Sequence, residues 1–334
     1  MRKENHMSGT AAAESGKTNP YLLLTTTMVL WGSGFSSSKG VVEHLPHEVA
    51  AVLRFGGGAL CLLVALPFFG RGGKTTTRDA SRAAAAGLLG VFAYNVFFFW
   101  GLSLAPSMDG STIIPVMSPV LTTSFLLLTR KEKASSARLA GLGLGIAGAV
   151  IFFIGAGGDT SSGHDRLLGD FLFLLAAVSW AAYTLTGPKV LAGIEPLKAT
   201  TYATLAGSVL LALYAAPQAT DVHWSGLPGS VWLNVVYVAI GPTAVAYLFY
   251  YRGIGAVGPS SASIMMFVVP VFGTLCSTLF LGESFGVVQT VGAVVLLSGA
   301  VLAVTQGKLP GRRSTRTAQA TEPAPEPRTS GSAG

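Results

Sequence analysis

The chain has 334 residues, 50% of them hydrophobic and only 11% charged, with a mean hydropathy of +0.57. Soluble domains carry about twice that share of charge, roughly 25%, so composition excludes a soluble globular protein and indicates a polytopic membrane protein. The net charge of +7 does not argue for a nucleic-acid partner, because the basic residues are distributed by topology.

A helix crossing roughly 30 Å of hydrocarbon needs about 20 apolar residues. Ten such segments are expected along the chain, at 21–41, 47–69, 83–105, 110–129, 136–156, 167–187, 197–216, 229–251, 260–281 and 285–305. The first twenty residues are polar and form a cytoplasmic tail with no secretory signal, so the first apolar run is its own targeting signal. Asn19 can cap that run, and Pro20 suits its first turn, where a missing N–H is harmless. If the N-terminus is inside, all 22 Lys and Arg except Lys39, Arg54 and Arg166 fall in cytoplasmic segments. This asymmetry places both termini inside a cell membrane. Cys61 and Cys276 lie in apolar segments without metal-type spacing. The tail 306–334, rich in Pro, Ser, Thr, Gly and Ala, is expected to be disordered.

One pattern recurs at a constant offset: Pro119 as Pro270, Glu132 as Glu283, Gly141 as Gly292, and Gly148 as Gly299. A proline, an acid and two glycines in register indicate a duplication. An odd number of crossings separates the copies, so the second is inverted. The expected fold is therefore an all-α polytopic membrane protein, ten transmembrane helices arranged as two inverted five-helix repeats. Such repeats are typical of secondary transporters, with the binding site between the halves.

Several strings resemble catalytic motifs and fail on context. Gly143, Gly145 and Gly148 spell GxGxxG inside a membrane helix, where Gly141 and Gly145 make a face for close helix packing instead. Gly70 to Thr75 lacks the first glycine of a phosphate loop, where Phe68 stands. Ser36 to Lys39 matches S-x-x-K without its partner motifs, and His47-Glu48 has no second histidine. An intramembrane enzyme is therefore unsupported, and no cofactor or metal is expected.

The repeated stretches read PVMSPVLTTSFLLLTRKEKASSARLAGLGLGIAGAVIF and FVVPVFGTLCSTLFLGESFGVVQTVGAVVLLSGAVLAV. With Trp31-Gly-Ser-Gly-Phe-Ser-Ser-Ser-Lys39, Ser179-Trp180-Ala-Ala-Tyr183 and Arg54-Phe55, they resemble EamA-type members of the drug/metabolite transporter superfamily. The resemblance spans 21–305. It implies an EamA-like repeat at 21–156, an external linker at 157–166, a second repeat at 167–305, and export or exchange of small metabolites. One departure is that Lys189 lies nine residues after Trp180, whereas Lys39 lies eight after Trp31.

Polar residues and prolines at mid-depth must face protein or a wet cavity, since lipid cannot satisfy them. The candidates are Trp31, Ser36, Arg54, Tyr94, Asn95, Ser118, Pro119, Trp180, Tyr183, Thr184, Thr243, Tyr247, Ser263 and Pro270. Helices 4 and 9, which carry Pro115, Pro119 and Pro270, are expected to be broken or kinked. Arg54 should face the bundle and pair with a helix-end carbonyl, Glu48 or an anionic solute. Lys39 should snorkel to the outer interface. Glu132 and Glu283 should favour the following helix N-termini, and Gly141, Gly145, Gly148, Gly292 and Gly299 are assigned to packing. No Asp or Glu is read as deeply buried, so a carboxylate proton relay is not expected.

The expected partners are a small-molecule solute and membrane lipids, with a homodimer left open. The expected activity is alternating-access transport of amino acids, related amphipathic solutes or drugs. A nucleotide-sugar or sugar-phosphate carrier of the same superfamily is the alternative, although phosphate calls for paired basic residues.

Overall fold

The computed structural model of the protein describes residues 19–70, 74–131, 135–155, 163–281 and 287–305. The two tails, Glu132 and Glu283 lie outside them. Among the described residues the chain is helical, without strands. The ten helices are α1 Pro20–Val42, α2 His47–Phe69, α3 Thr77–Leu104, α4 Ser107–Leu128, α5 Ser136–Gly155, α6 Gly163–Val190, α7 Pro196–Ala219, α8 at 229–257, α9 at 259–281 and α10 Val287–Thr305. Six apolar helical stretches, one of them covering both α8 and α9, are long enough to cross a membrane.

Local chemistry sets the helix ends. Asn19 Oδ1 accepts the Tyr21 N–H at 3.0 Å, and Pro20 opens α1. Thr76 accepts the Asp79 N–H at 3.1 Å and starts α3 earlier than expected, adding a polar turn before its apolar stretch. α6 begins at Gly163, inside the stretch expected to be a linker. Between α8 and α9 only Gly258 breaks the helix, with φ 81° and ψ 164°. That conformation is open to glycine and strained for any side chain, and Pro259 then starts α9. The Gly-Pro step thus turns a single apolar run into two crossings.

The packing follows the duplication. α5 lies along α10, α2 along α7 and α4 along α9, while α3 against α6 is mirrored by α8 against α1. At the α5–α10 seam the backbones touch. A Cβ built on Gly141 would lie 2.7 Å from Gly299 O, and one on Gly148 would lie 2.9 Å from Gly292 O. These two contacts are images of each other under the repeat offset, as inverted copies require. In lipid, close backbone approach replaces the hydrophobic effect as the source of association, and glycine permits it.

Two cations near the face opposite the Arg78 and Lys198 ends are held by protein. Arg166 donates to Asp109 through Nε at 2.7 Å and Nη2 at 3.1 Å, joining α6 to the first turn of α4. Asp109 is 2% exposed. The sequence reading starts helix 4 at 110, which leaves Asp109 outside it. The structure adds a turn, and the carboxylate becomes a buried partner rather than a loop acid. Lys39 does not snorkel: its Nζ donates to Leu102 O at 2.8 Å and Ala105 O at 3.3 Å, capping the C-terminal end of α3.

Two outcomes follow from this packing. Gly148→Leu should destabilise the detergent-solubilised protein by about 1–3 kcal/mol or more through overpacking. Gly143→Leu, at a position with nothing within 4 Å of an added Cβ, should leave the melting temperature unchanged. Asp109→Ala and Arg166→Ala should each cost about 3 kcal/mol, with the double variant losing less than the sum, as measured by thermal unfolding.

Candidate functional site

The site grows from irregular backbone. α3 and α8 each contain a π turn, at Leu88–Ala93 and Ala239–Val245. The second starts where the repeat offset places the first. In α8 the cause is explicit: Pro242 has no N–H for the carbonyl of Val238, and the Thr243 hydroxyl donates to that oxygen instead at 2.8 Å. α3 makes the same turn without a proline. π turns release carbonyls from the helical ladder, and two of these meet side chains from other helices. Gly90 O accepts the Tyr247 hydroxyl at 3.1 Å, and Pro242 O accepts the Trp31 indole N–H at 3.0 Å.

α9 is irregular for a related reason. Pro270 cannot donate to Met266 O, so the Val269 N–H takes that oxygen and Met265–Val268 tightens into a 3₁₀ turn. α4 behaves differently from expectation. It remains α-helical through Pro115 and Pro119, so of the two helices expected to be broken or kinked only α9 departs from α-helical geometry at mid-length. Without an N–H on Pro119, the carbonyl of Pro115 still lacks its helical donor, and Pro115 reaches the cavity described next.

Between the repeats lies a cavity lined by Trp31, Arg54, Tyr94, Trp180 and Tyr247, with Gly34, Phe35, Phe98, Ile114, Pro115, Met266 and Val269 completing its wall. Its volume is about 20 Å³, room for one water and for no organic solute. Aromatic rings narrow it. The two tryptophans, one in the first helix of each repeat, meet edge to face, with centroids 5.0 Å apart. Tyr250 lies 4.9 Å from Trp31. Below them, towards the basic ends of α6 and α8, Thr184 and Tyr250 share a hydrogen bond of 3.2 Å and Tyr183 packs on Tyr251 at 5.1 Å. On the other side Phe35 and Phe98 meet at 5.2 Å. These pairs narrow the cavity on both sides.

Arg54 is 4% exposed and contributes the cavity's charge. Nε donates to Thr243 Oγ1 at 3.1 Å and Nη1 to Ser38 Oγ at 3.4 Å. Phe55, Phe98 and Phe99 surround it, their centroids 5.2, 5.3 and 5.9 Å from Cζ. Cation–π contact offsets part of the desolvation but supplies no counter-charge. Of the expected partners, neither a helix-end carbonyl nor Glu48 is found. Glu48 instead lies 3.4 Å from His47 Nε2.

The other expected residues divide by place. Thr243 positions Arg54. Asn95, fully buried, donates to Val91 O at 2.6 Å, and its Oδ1 makes no well-formed hydrogen bond. Tyr183 and Thr184 belong to the narrowing pairs rather than the wall. Ser118 donates to Ile114 O at 2.7 Å within α4, and Ser263 to Ser260 O at 3.0 Å within α9, so neither aims at the cavity. Pro119 and Pro270 shape the backbone without lining it. Ser36 belongs to a separate crevice with Ser107 and Ser111. Sequence reasoning passed over Ser38, Phe98, Ile114 and Met266. Of these, Phe98 had a signal, being one helical turn from Tyr94.

Comparison with known proteins agrees with this architecture. The EamA-like transporter family matches residues 18–154 and 167–305. The chain is 26% identical over 286 residues to the uncharacterised transporter YyaM of Bacillus subtilis (strain 168), covering 85% of this chain and 93% of that one. It is 26% identical to a probable terminal-alkyne amino-acid exporter of Streptantibioticus cattleyicolor, covering 84% of this chain and 91% of that one. It is also 26% identical to the aromatic amino acid exporter YddG of Ancylobacter novellus, covering 75% and 84% respectively. A solved crystal structure shares the fold, with a TM-score of 0.69 at 21% identity, covering 87% of this chain and 99% of that one. With both repeats matched along nearly all of the helical chain, the protein belongs to the EamA-like transporter family of the drug/metabolite transporter superfamily, and is a multi-pass membrane transporter rather than an enzyme.

Proposed function

We propose that the protein moves small amphipathic organic solutes, amino acids and related metabolites among them, across the cell membrane by alternating access, in export or exchange. The observation that carries this reading is the small, aromatic-walled cavity between the repeats, with Arg54 in its wall. Rings with polar edges suit a solute that is part apolar and part polar. Because about 20 Å³ admits only water, the surrounding aromatic side chains must separate for a solute to enter. The irregular turns of α3, α8 and α9 adjoin the cavity and are where such a change needs the fewest broken ladder hydrogen bonds. The names of two relatives, an aromatic and a terminal-alkyne amino-acid exporter, support the solute class. A sugar-phosphate carrier is disfavoured, since Arg54 has no second cation beside it in the wall and Lys39 is engaged with α3.

Both termini are proposed to be cytoplasmic, on the distribution of Lys and Arg. A C-terminal green fluorescent protein fusion should fluoresce and an alkaline phosphatase fusion should be inactive; the reverse pattern would refute the orientation.

Transport is tested by expressing the protein in an exporter-deficient bacterium challenged with toxic amino acids, their analogues and antimicrobials. Expression should raise tolerance to at least one compound and lower its intracellular pool. Trp180→Ala, which opens the tryptophan contact, should abolish the protection while leaving the protein in the membrane. Equal protection by the variant would remove the cavity from the solute path.

A further inference from the structure

We infer that Arg54 is a carboxylate clamp, and that the solute it serves is an apolar, preferably aromatic, monocarboxylate whose amino group is not what the site recognises. This rests on the transport reading above and narrows it.

The inference begins with charge. Among the described residues no Asp or Glu belongs to the cavity wall, and Arg54 is its cation. Near the face opposite the basic helix ends the protein satisfies two other cations from its own groups, Arg166 with Asp109 and Lys39 with the end of α3. Arg54 receives two neutral hydroxyls and three phenylalanine rings. The phenols of Tyr94 and Tyr247 share its wall and are neutral at ordinary pH. A guanidinium buried in hydrocarbon-like surroundings lacks a counter-charge in this arrangement.

A solute with one negative charge restores neutrality, and its carboxylate matches the planar donor fork, of which Thr243 and Ser38 engage only part. A zwitterion brings the same carboxylate together with a second cation, which must also be desolvated where no acid stands in the wall. A simple amine brings a cation beside a cation. The order of preference is therefore carboxylate, then amino acid, then amine. The rest of the wall, with Trp31, Tyr94, Phe98, Trp180, Ile114 and Met266, suits an apolar or aromatic body on that carboxylate.

The test uses three radiolabelled compounds that share one ring: 3-phenylpropanoate, phenylalanine and phenethylamine. Binding to the purified full-length protein is measured by scintillation proximity, and counterflow in proteoliposomes follows movement without any assumption about coupling. The wild type should bind and exchange phenylpropanoate at least as well as phenylalanine, and phenethylamine not at all. Arg54→Met should weaken phenylpropanoate by about tenfold or more, the scale of one charge-assisted contact. Arg54→Lys, which keeps the charge and loses the fork, should retain the order of preference at lower affinity. Monodisperse elution of each variant separates loss of binding from loss of folding, and the wild-type comparison stands even if Arg54→Met does not fold. Recognition of phenethylamine, or of phenylalanine without phenylpropanoate, would overturn the clamp while leaving the protein a transporter. Failure of all three compounds also overturns it. In that case the broader toxicity screen reports separately on the transport reading.

Discussion

Hydrocarbon neither donates nor accepts a hydrogen bond, so each backbone group released from a helical ladder within the membrane must find its partner inside the bundle. This constraint organises the centre of the molecule. The π turns of α3 and α8 release carbonyls, and Tyr247 and Trp31 reach across to take two of them. Those bonds hold two large aromatic side chains in the middle of the bundle, where they become the cavity wall. The irregular backbone and the aromatic cluster are thus one feature, each required by the other. Arg54 joins the same arrangement through Thr243, whose hydroxyl also donates to the Val238 carbonyl that Pro242 cannot serve. A charge that would be ruinous against lipid meets two hydroxyls and three aromatic faces here.

The two halves share a scaffold and differ at the centre. The α5–α10 seam and the paired π turns obey the repeat offset, whereas Arg54 has no basic counterpart and Asn95 corresponds to Ala246. Trp31 and Trp180 sit between these regimes. They lie near the middle of the first helix of each repeat and meet each other, yet Trp31 bonds to Pro242 O while the Trp180 indole nitrogen has no well-formed hydrogen bond. Duplication supplied the frame, and departures from it supply the chemistry a solute encounters.

Much of this frame was legible in the chain. Ten apolar runs, the Asn19-Pro20 start, and glycines repeating with a proline at one offset carry the helix count, the inversion and the packing seam, because each depends on a local property of residue type. The site was legible as a list of residues and less so as a wall. Trp31, Arg54, Tyr94, Trp180 and Tyr247 could be named because polarity at mid-depth is costly and therefore conspicuous. Ile114 and Met266 could not, since an apolar residue facing a cavity looks the same in sequence as one facing lipid. The π turn of α3 leaves no signature either, lacking the proline that marks its partner in α8. Asp109 was hidden by a boundary of a few residues, and Lys39 was given the snorkelling expected of a helix-end lysine because the end of α3 beside it is a tertiary fact.

The glycine seam has one further consequence. Gly141 meets Gly299 and Gly148 meets Gly292, so each half carries both surfaces needed to build it. Self-complementarity of this kind is the defining property of an isologous two-fold interface between separate subunits. A single five-helix chain inserted into the membrane in both orientations would already present this contact to its own copy. Fusion of the halves would then change the stoichiometry of the joint without having to invent it, and would free each side to diverge around a contact that already worked.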